Sequence, residues 1–166
     1  MPNRPGRLRE FQYVGLKTYF LTICTERRHR AFDNSAFGQW AVSQLLLQSA
    51  ARGFAVIAYC LMPDHAHLLL QGQTDDADLK GMVLSWNTLT GHQWRQRGGG
   101  RLWQRGYYDH VLRDGERPLA VARYILMNPV RGGLVTSADA YFLSGSSEYS
   151  VREILAAAQD WKPSWS

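Results

Sequence analysis

Two histidines one residue apart are the first feature of this sequence that could do chemistry. His65 and His67 stand in the stretch YCLMPDHAHLLL, at the start of an otherwise apolar run. Because alternate side chains of a β-strand point to the same face, the two imidazoles would share one face. Two imidazoles placed in this way can bind one divalent metal ion, whereas a lone histidine in such a run is usually a hydrogen-bonded structural residue. The pair alone is a weak signal, since it also arises by chance.

A tyrosine and an asparagine further along the chain could complete such a site. Tyr124 and Asn128 lie four residues apart in RYILMNPV, so on a helix their side chains occupy one face, one turn apart. Asn128 offers a carbonyl oxygen as a hard ligand, and Tyr124 offers a phenol. If this helix face meets the histidine face, the result is a His-His-Asn metal site beside a tyrosine. The other interpretation, which spacing alone favours, makes Tyr124 a half-buried core residue and Asn128 the end of a helix before Pro129.

The elements that must position these residues form an α+β pattern. Compact β-branched and aromatic runs predict strands at residues 17–25, 54–61, 65–71 and 107–113. Helical periodicity and capping residues predict helices between these strands and at the end of the chain, at 35–52, from about 79 to 94, from 114 to 128 and from about 151 to 159. This order is the split βαβ, ferredoxin-like arrangement, an antiparallel sheet with helices packed on one face, here followed by a C-terminal helix.

Three local signals set the predicted helix boundaries. Ser35 is the predicted N-cap of the first helix, with Gly53 just beyond its end. The acidic residues 75–78 suit the first turn of the second helix, because carboxylates interact favourably with a helix N-terminus. Asp114 is the predicted cap of the third helix, which Pro129 should end near Asn128.

Length and composition predict one globular domain over residues 1–166. The chain is long enough to bury a core without disulfides, and no apolar stretch reaches a membrane-spanning length. Cys24 and Cys60 each lie within a strand-like run, which indicates reduced core cysteines. The N-terminus is basic but lacks the apolar segment of a signal peptide. We therefore expect a cytoplasmic protein with no membrane partner.

The basic residues favour nucleic acid as a partner. Sixteen of the nineteen basic residues are arginines, and the net charge is +5. Residues 79–108 contain five basic residues, no acidic residue and several tryptophans and tyrosines. Cations can contact phosphates while aromatic rings stack on bases. The other interpretation is that this segment is a solvated face in a protein that prefers arginine to lysine.

Three longer stretches resemble one protein family. MPDHAHLLL resembles the HUH motif (His, hydrophobic, His) of the single-tyrosine HUH transposases. LWQRGYYDHVLRD, followed by ARYILMNPVRGGLV, resembles the REP-associated tyrosine transposases within that superfamily. The opening VGLKTYFLTICTERRHRAF is similar to their first strand and loop. The resemblance covers residues 11–135 approximately, which leaves a C-terminal extension of about 136–166.

The resemblance implies a reaction and a set of site residues. His65 and His67 would be metal ligands with Asn128 as the third. The family implies Mg²⁺ or Mn²⁺, and ligand softness alone would also admit Zn²⁺. Tyr124 would be the nucleophile that cleaves and rejoins single-stranded DNA through a 5′-phosphotyrosine. Tyr107 and Tyr108 are rival nucleophiles, although stacking on a base is the more economical role for them. The DNA would be a hairpin of REP-like repeat, and the protein would act as a monomer or a homodimer. Asp109 and His110 stand where relatives have an acidic residue and a histidine, and neither has an assigned role. The candidate DNA-binding residues come from the two basic segments, namely Arg27, Arg28, Arg30, Arg95, Arg97, Arg101, Trp103, Arg105, Tyr107 and Tyr108.

Two other functions remain open from the sequence. A non-catalytic module could bind hairpin nucleic acid with the same fold, although the retention of Tyr124 argues against a degenerate copy. A small metallohydrolase could use a metal-bound water on phosphoesters, without a covalent intermediate and with little dependence on Tyr124.

Overall fold

A five-stranded antiparallel sheet forms the centre of the computed structural model, which describes residues 11–157 and 161–163. The strand order is β4-β1-β3-β2-β5. The strands are β1 Thr18–Cys24, β2 Phe54–Met62, β3 His65–Gly72, β4 Tyr108–Val111 and β5 Ser144–Gly145. The α-helices are α1 Ser35–Ala51, α2 Leu79–Gln96, α3 Pro118–Leu126, α4 Asn128–Arg131 and α5 Val151–Leu155. The predicted α+β, ferredoxin-like class is confirmed, and the two-residue β5 is an addition that the sequence did not predict.

The helices cover both faces of the sheet. Side chains such as Leu21 and Leu68 pack with α1 and α2 in one core, whereas Phe20 and Leu69 pack with α3 and α5 in a second core. The predicted packing on one face therefore holds for α1 and α2 but is wrong for α3 and α5. The reason is visible in β1 and β3, which are apolar on both sides and so bury both faces.

Strand β2, which lies between β3 and β5, contains a β-bulge. Its pairing with β3 shifts between Val56 and Ala58, so that Ile57 is an extra residue beside Leu69. Ile57 and Ala58 both contact the α3 core, whereas Val56 and Tyr59 on either side belong to the opposite core. The bulge thus leaves Cys60 on the face that α3 covers.

Several element boundaries differ from the predictions. Asn34, not Ser35, caps α1, because its side-chain oxygen accepts a 3.0 Å hydrogen bond from the Phe37 amide. Gly53 adopts φ +77°, which confirms its place just beyond the helix. Asp114 does not cap α3; the chain turns first, and Arg117 takes the N-cap position before Pro118.

The chain around Pro129 is helical, although the sequence predicts that Pro129 ends a helix. The α3 helix ends at Leu126, and Met127 keeps helical angles before the short α4 begins at Asn128. Pro129 lies in the first turn of α4, where the absence of an amide proton costs no helical hydrogen bond. Residues 158 and 159 of the predicted C-terminal helix lie outside the described residues, and α5 ends at Leu155.

The structure also bears on the predictions about the two cysteines and about membrane-spanning segments. Both cysteines are buried, and neither forms a disulfide bond among the described residues. Among the helices that the structure describes, none has the length and apolar character that a bilayer span requires.

Candidate active site

The two histidines lie at the start of β3, directly after the turn at Pro63 and Asp64. Their Nε2 atoms are 3.1 Å apart and their rings meet edge to face. His67 also stacks on Phe20 at 5.6 Å between ring centroids, which places the pair on the α3 face of the sheet. The alternation of side chains along a strand therefore brings the two imidazoles together, as their spacing predicts.

Hydrogen bonds on the far side of each ring fix the orientation of the imidazoles. The Nδ1 atom of His65 lies 2.7 Å from Asp64 Oδ1, and the Nδ1 atom of His67 lies 3.0 Å from Thr22 Oγ1. Thr22 is the residue opposite His67 in the β1–β3 ladder. Holding Nδ1 in this way leaves both Nε2 atoms directed into a shared space, which is how metal-binding histidines are usually supported.

Burial keeps the histidines in the form that binds metal. Burial lowers the pKa of His65, although the neighbouring Asp64 carboxylate opposes this shift. Burial also lowers the pKa of His67 well below its ordinary value, and the nearby His65, Arg131 and Arg28 add to that effect. Both rings are therefore neutral at pH 7, and neutral imidazole is the form that donates a lone pair to a metal.

The residues present fit a divalent cation. Two ligand atoms at right angles around an ion, each at about 2.1 Å, lie about 3.0 Å apart, close to the observed Nε2 separation of 3.1 Å. Asn128 begins α4, and its Nδ2 donates to the Ile125 carbonyl at 3.2 Å. That bond leaves Oδ1 as the available oxygen, with no hydrogen-bond donor to it among the described residues. Within the described part of the chain, no three His, Cys, Asp or Glu side chains form a cluster that could hold a metal ion.

Tyr124 lies on the same face of the sheet as the histidines. Its ring meets Phe20 edge to face at 6.5 Å, and Phe20 in turn stacks on His67. Tyr124 is partly buried on α3. A single aromatic ring thus contacts both the predicted nucleophile and the histidine pair.

Arg131 lies beside the candidate nucleophile, and the sequence analysis did not single it out. Its guanidinium lies 4.0 Å from the centre of the Tyr124 ring, and its Nη2 donates to the Tyr124 carbonyl at 2.6 Å. Burial lowers the pKa of Arg131, while Tyr124 and Cys60 oppose that shift. Since an arginine remains protonated under any ordinary condition, the tyrosine has a permanent cation against its face.

Arg28 supports the histidine pair from the loop after β1. Its Nε donates to Asp64 Oδ2 at 2.9 Å, and its Nη1 lies 3.1 Å from Cys24 Sγ. Arg27 and Arg28 both have positive φ angles, 51° and 56°, which side chains other than glycine rarely adopt. Burial raises the pKa of Asp64, but the hydrogen bonds from His65 and Arg28 outweigh it and lower that pKa overall. Asp64 is therefore a carboxylate that anchors His65.

The two basic segments meet at one end of the sheet. The Glu26 amide donates to the Leu102 carbonyl at 2.7 Å, and the His29 and Trp94 rings lie 5.5 Å apart. This end is also the histidine end, because Cys24 pairs with His65. The exposed arginines of this surface are Arg27, Arg28, Arg30, Arg95, Arg97, Arg101 and Arg105.

Some of these arginines form ion pairs within the chain, and the three aromatic DNA-binding candidates are partly or wholly buried. Arg30 pairs with Asp33 at 2.7 Å. Trp103 is 6% exposed, and its Nε1 donates to Thr90 Oγ1 at 2.9 Å, so the predicted role in base stacking does not fit this buried ring. Tyr107 and Tyr108 are partly buried and pack on opposite faces of the sheet.

A hydrogen-bond network gives His110 a structural role that the sequence left unassigned. His110 Nε2 lies 2.9 Å from Glu116 Oε2, and Glu116 Oε1 accepts from Trp161 Nε1 at 3.0 Å. The Trp161 ring packs 5.1 Å from Tyr124 and 5.7 Å from Phe20. A residue near the C-terminus is thereby held against the predicted nucleophile, and no local sequence signal could have indicated this contact.

Comparisons with known proteins bear on the family and the fold of this chain. A protein of Haemophilus influenzae named as a REP-associated tyrosine transposase is 27% identical over 141 residues, which cover 76% of this chain and 77% of that protein. A solved structure described as the REP-associated tyrosine transposase bound to a REP hairpin superposes with a TM-score of 0.68 at 20% identity, over 92% of this chain and 89% of that one, a likeness of fold. The sequence model of the family described as "Transposase IS200 like" matches residues 14–128, a span that includes both histidines, Tyr124 and Asn128. The chain belongs to the IS200-like transposase family.

Proposed function

We propose that this protein cleaves and rejoins single-stranded DNA beside a hairpin, through a covalent 5′-phosphotyrosine intermediate on Tyr124. One observation carries the proposal. Two histidines, with Nε2 atoms 3.1 Å apart, lie on the same face of the sheet as a tyrosine whose ring is contacted by an arginine guanidinium. Membership of the IS200-like transposase family supports it.

The phenol oxygen of Tyr124 attacks the phosphorus of a phosphodiester in this reaction. A bond forms between that oxygen and phosphorus, and the bond from phosphorus to the 3′ oxygen breaks. The phenol proton passes to solvent, and the departing 3′ oxygen takes up a proton to become a hydroxyl. Since one phosphoester replaces another, the step can run backwards and join a new 3′ end.

The surrounding residues assist this exchange. Arg131 places positive charge over the ring of Tyr124, where it would favour the negative charge that develops on the phenol during attack. His65, His67 and Asn128 would hold a divalent cation, Mg²⁺ or Mn²⁺, which when bound polarises the scissile phosphate. Asp64 and Thr22 orient the two imidazoles for that task.

Hairpin DNA with single-stranded flanks, of the REP type, is the proposed substrate. The similar solved structure is described as bound to a REP hairpin. In this chain, the exposed arginines of residues 27–30 and 95–105 lie at the histidine end of the sheet and suit contacts with phosphates. Binding through such contacts weakens steeply as salt rises.

The decisive test is the Tyr124→Phe variant with a hairpin oligonucleotide that carries a label at its 3′ end. The label should become covalently attached to the native protein in the presence of Mn²⁺, because the 5′ phosphate of the labelled fragment stays on the tyrosine. Tyr124→Phe should give no adduct yet bind the hairpin within about twofold, since it loses only one hydroxyl that contacts the reacting phosphate. Tyr149→Phe, at an exposed tyrosine far along the chain, is the control and should form adducts normally.

The same assay separates the competing functions. Adducts that persist in Tyr124→Phe would move the nucleophile elsewhere, with Tyr107 and Tyr108 the first residues to test. Cleavage by the native protein without any adduct would instead support hydrolysis by a metal-bound water. Tight hairpin binding with no cleavage would support a non-catalytic binding module.

A further inference from the structure

A cavity beside the Tyr124 helix is lined by Tyr124 and Arg131 and also by residues to which the proposed chemistry gives no role. It has a volume of about 520 Å³ and opens between α3 and the C-terminal segment. That volume falls within the range of about 300–1,000 Å³ in which ligand sites occur. We call it the α3 pocket, defined by Arg123, Tyr124, Met127, Trp161 and Lys162.

The charge of the α3 pocket favours an anion. Arg123, Arg131 and Lys162 line it, and none of the described residues in its walls is acidic. Arg123 is held by a 3.4 Å hydrogen bond to the Ala157 carbonyl, and Arg131 by its bond to the Tyr124 carbonyl. Two of the three cations are therefore fixed in place before any ligand arrives.

The aromatic wall of the pocket is also fixed in place. Trp161 donates to Glu116, which in turn accepts from the Arg113 amide at 2.6 Å and from His110. The Trp161 ring stands at 75° to the Tyr124 ring and remains partly exposed. A flat ring next to several cations is the combination that binds a nucleotide, because the ring stacks on the base while the cations contact phosphate.

We propose that the α3 pocket binds the nucleotide of the substrate strand that adjoins the scissile phosphodiester, with its base on Trp161 and its phosphate near Arg123 and Lys162. The inference rests on the proposed function, because the strand must pass Tyr124 to be cleaved. Since Tyr124 forms one wall of the pocket, a nucleotide held there fixes which phosphate meets the phenol oxygen. The pocket is then a determinant of where the strand is cut.

The test measures hairpin affinity in a Tyr124→Phe background, in which the strand is bound but not cut. Trp161→Leu keeps an apolar side chain but removes the aromatic surface on which a base could stack, and should weaken binding about tenfold. Trp161→Phe keeps a ring and should bind within about twofold of the parent, although it loses the bond to Glu116. Lys162→Gln should weaken binding more than Arg152→Gln. Arg152 is the matched control, because it is an exposed residue of α5 that does not line the pocket.

An abasic scan of the DNA identifies the occupant. Single abasic sites are placed in turn at each nucleotide around the cleavage position, and each oligonucleotide is bound to the parent and to Trp161→Leu. At one position the abasic site should weaken parental binding about tenfold and have no further effect in Trp161→Leu. If no position shows this coupling, the pocket does not hold a base of the strand, and a free nucleotide or no ligand occupies it.

Two further results would overturn the pocket assignment. Equal binding by Trp161→Leu and the parent would remove Trp161 from the substrate contacts. Tighter binding, or faster adduct formation by Trp161→Leu with Tyr124 restored, would show that Trp161 covers the tyrosine instead of holding a base. Either result leaves the proposed function intact if the native protein still forms adducts. Conversely, abasic coupling in a protein that forms no adduct would support the pocket and refute the transesterification.

Discussion

The two faces of the central sheet are built from different kinds of residue. On the α1–α2 face, Trp86 is fully buried and donates its Nε1 proton to the Ala41 carbonyl, and the surrounding core is almost wholly apolar or aromatic. On the α3 face, apolar residues such as Leu69 lie beside His67 and Tyr124, and the exposed Arg131 places its guanidinium over the Tyr124 ring. One face is a packing core and the other contains the candidate chemistry.

This difference gives the two faces of the sheet different roles. Burial on the α3 face is what lowers the pKa of His67 and brings a cation against a tyrosine. Removing polar and charged groups from water is unfavourable, so that face adds less to stability than its buried area suggests. The α1–α2 face must therefore supply most of the free energy of folding.

The largest expected effect is on the packing face. Trp86→Ala should lower the free energy of unfolding by about 3–5 kcal/mol, because it removes a fully buried ring and leaves a cavity. Denaturant unfolding measures this loss, and Leu84→Ala, on the same helix but 68% exposed, should change it by less than about 0.5 kcal/mol. Adduct formation at a temperature where the variant is folded should stay near the native rate. A variant that is folded but forms no adduct would show that the two faces are not separable.

A smaller effect is expected from Asp64→Asn on the other face. The amide cannot match the charge that the carboxylate presents to His65 Nδ1 at 2.7 Å, and it loses the ion pair with Arg28. Mn²⁺ affinity, measured by calorimetric titration, should fall about tenfold with little change in unfolding free energy. Asp33→Asn, which removes the neighbouring exposed pair with Arg30, is the control and should leave the affinity unchanged. An unchanged affinity in Asp64→Asn would argue that His65 does not bind the metal.

The smallest effect concerns Glu116 at the rim of the α3 face. Burial raises the pKa of Glu116, but hydrogen bonds from the Arg113 amide, Trp161 and His110 outweigh it and lower that pKa overall. A carboxyl whose pKa is lowered by folding adds stability above its unfolded pKa of about 4.3, and that stability is lost as pH falls through the folded value. Glu116→Gln should therefore reduce unfolding free energy by about 1 kcal/mol at pH 7, and the difference from the native protein should shrink below pH 4.3 approximately.

Unfolding curves at several pH values measure this difference, with Asp114→Asn in the same turn as the control for the change in net charge. A difference that persists unchanged at low pH would show that the Glu116 contribution comes from packing and not from its charge.

Much of the sheet was predictable because its strands carry their own signals. The alternation in β3 places His65 and His67 on one face, and the run from Phe54 to Leu61 has the composition of a buried strand. Periodicity also places Tyr124 and Asn128 on one side of a helix. It does not determine on which side of a sheet that helix packs, because that depends on apolar surface contributed by all the strands together.

Contacts between residues distant in the chain account for what the sequence could not predict. Trp103 lies in a basic, aromatic segment typical of nucleic-acid contacts, yet Thr90 and the α1–α2 core bury it. Trp161 reaches Tyr124 only because Glu116, forty-five positions earlier, accepts its indole proton. Nothing in the sequence distinguishes Arg28 from a solvated arginine, and its ion pair with Asp64 forms only in the folded chain. Each depends on tertiary packing, which overrides local composition.

The bulge in β2 allows this strand to lose one residue without a change in the faces of the residues that follow. In a regular strand, loss of one residue turns every later side chain to the opposite face. Here Ile57 and Ala58 lie on the same face, so deletion of Ile57 would restore strict alternation and leave Tyr59 and Cys60 where they are now. Within this strand, natural variation in chain length can therefore accumulate at the bulge without exchanging the core under α1 and α2 for the core under α3.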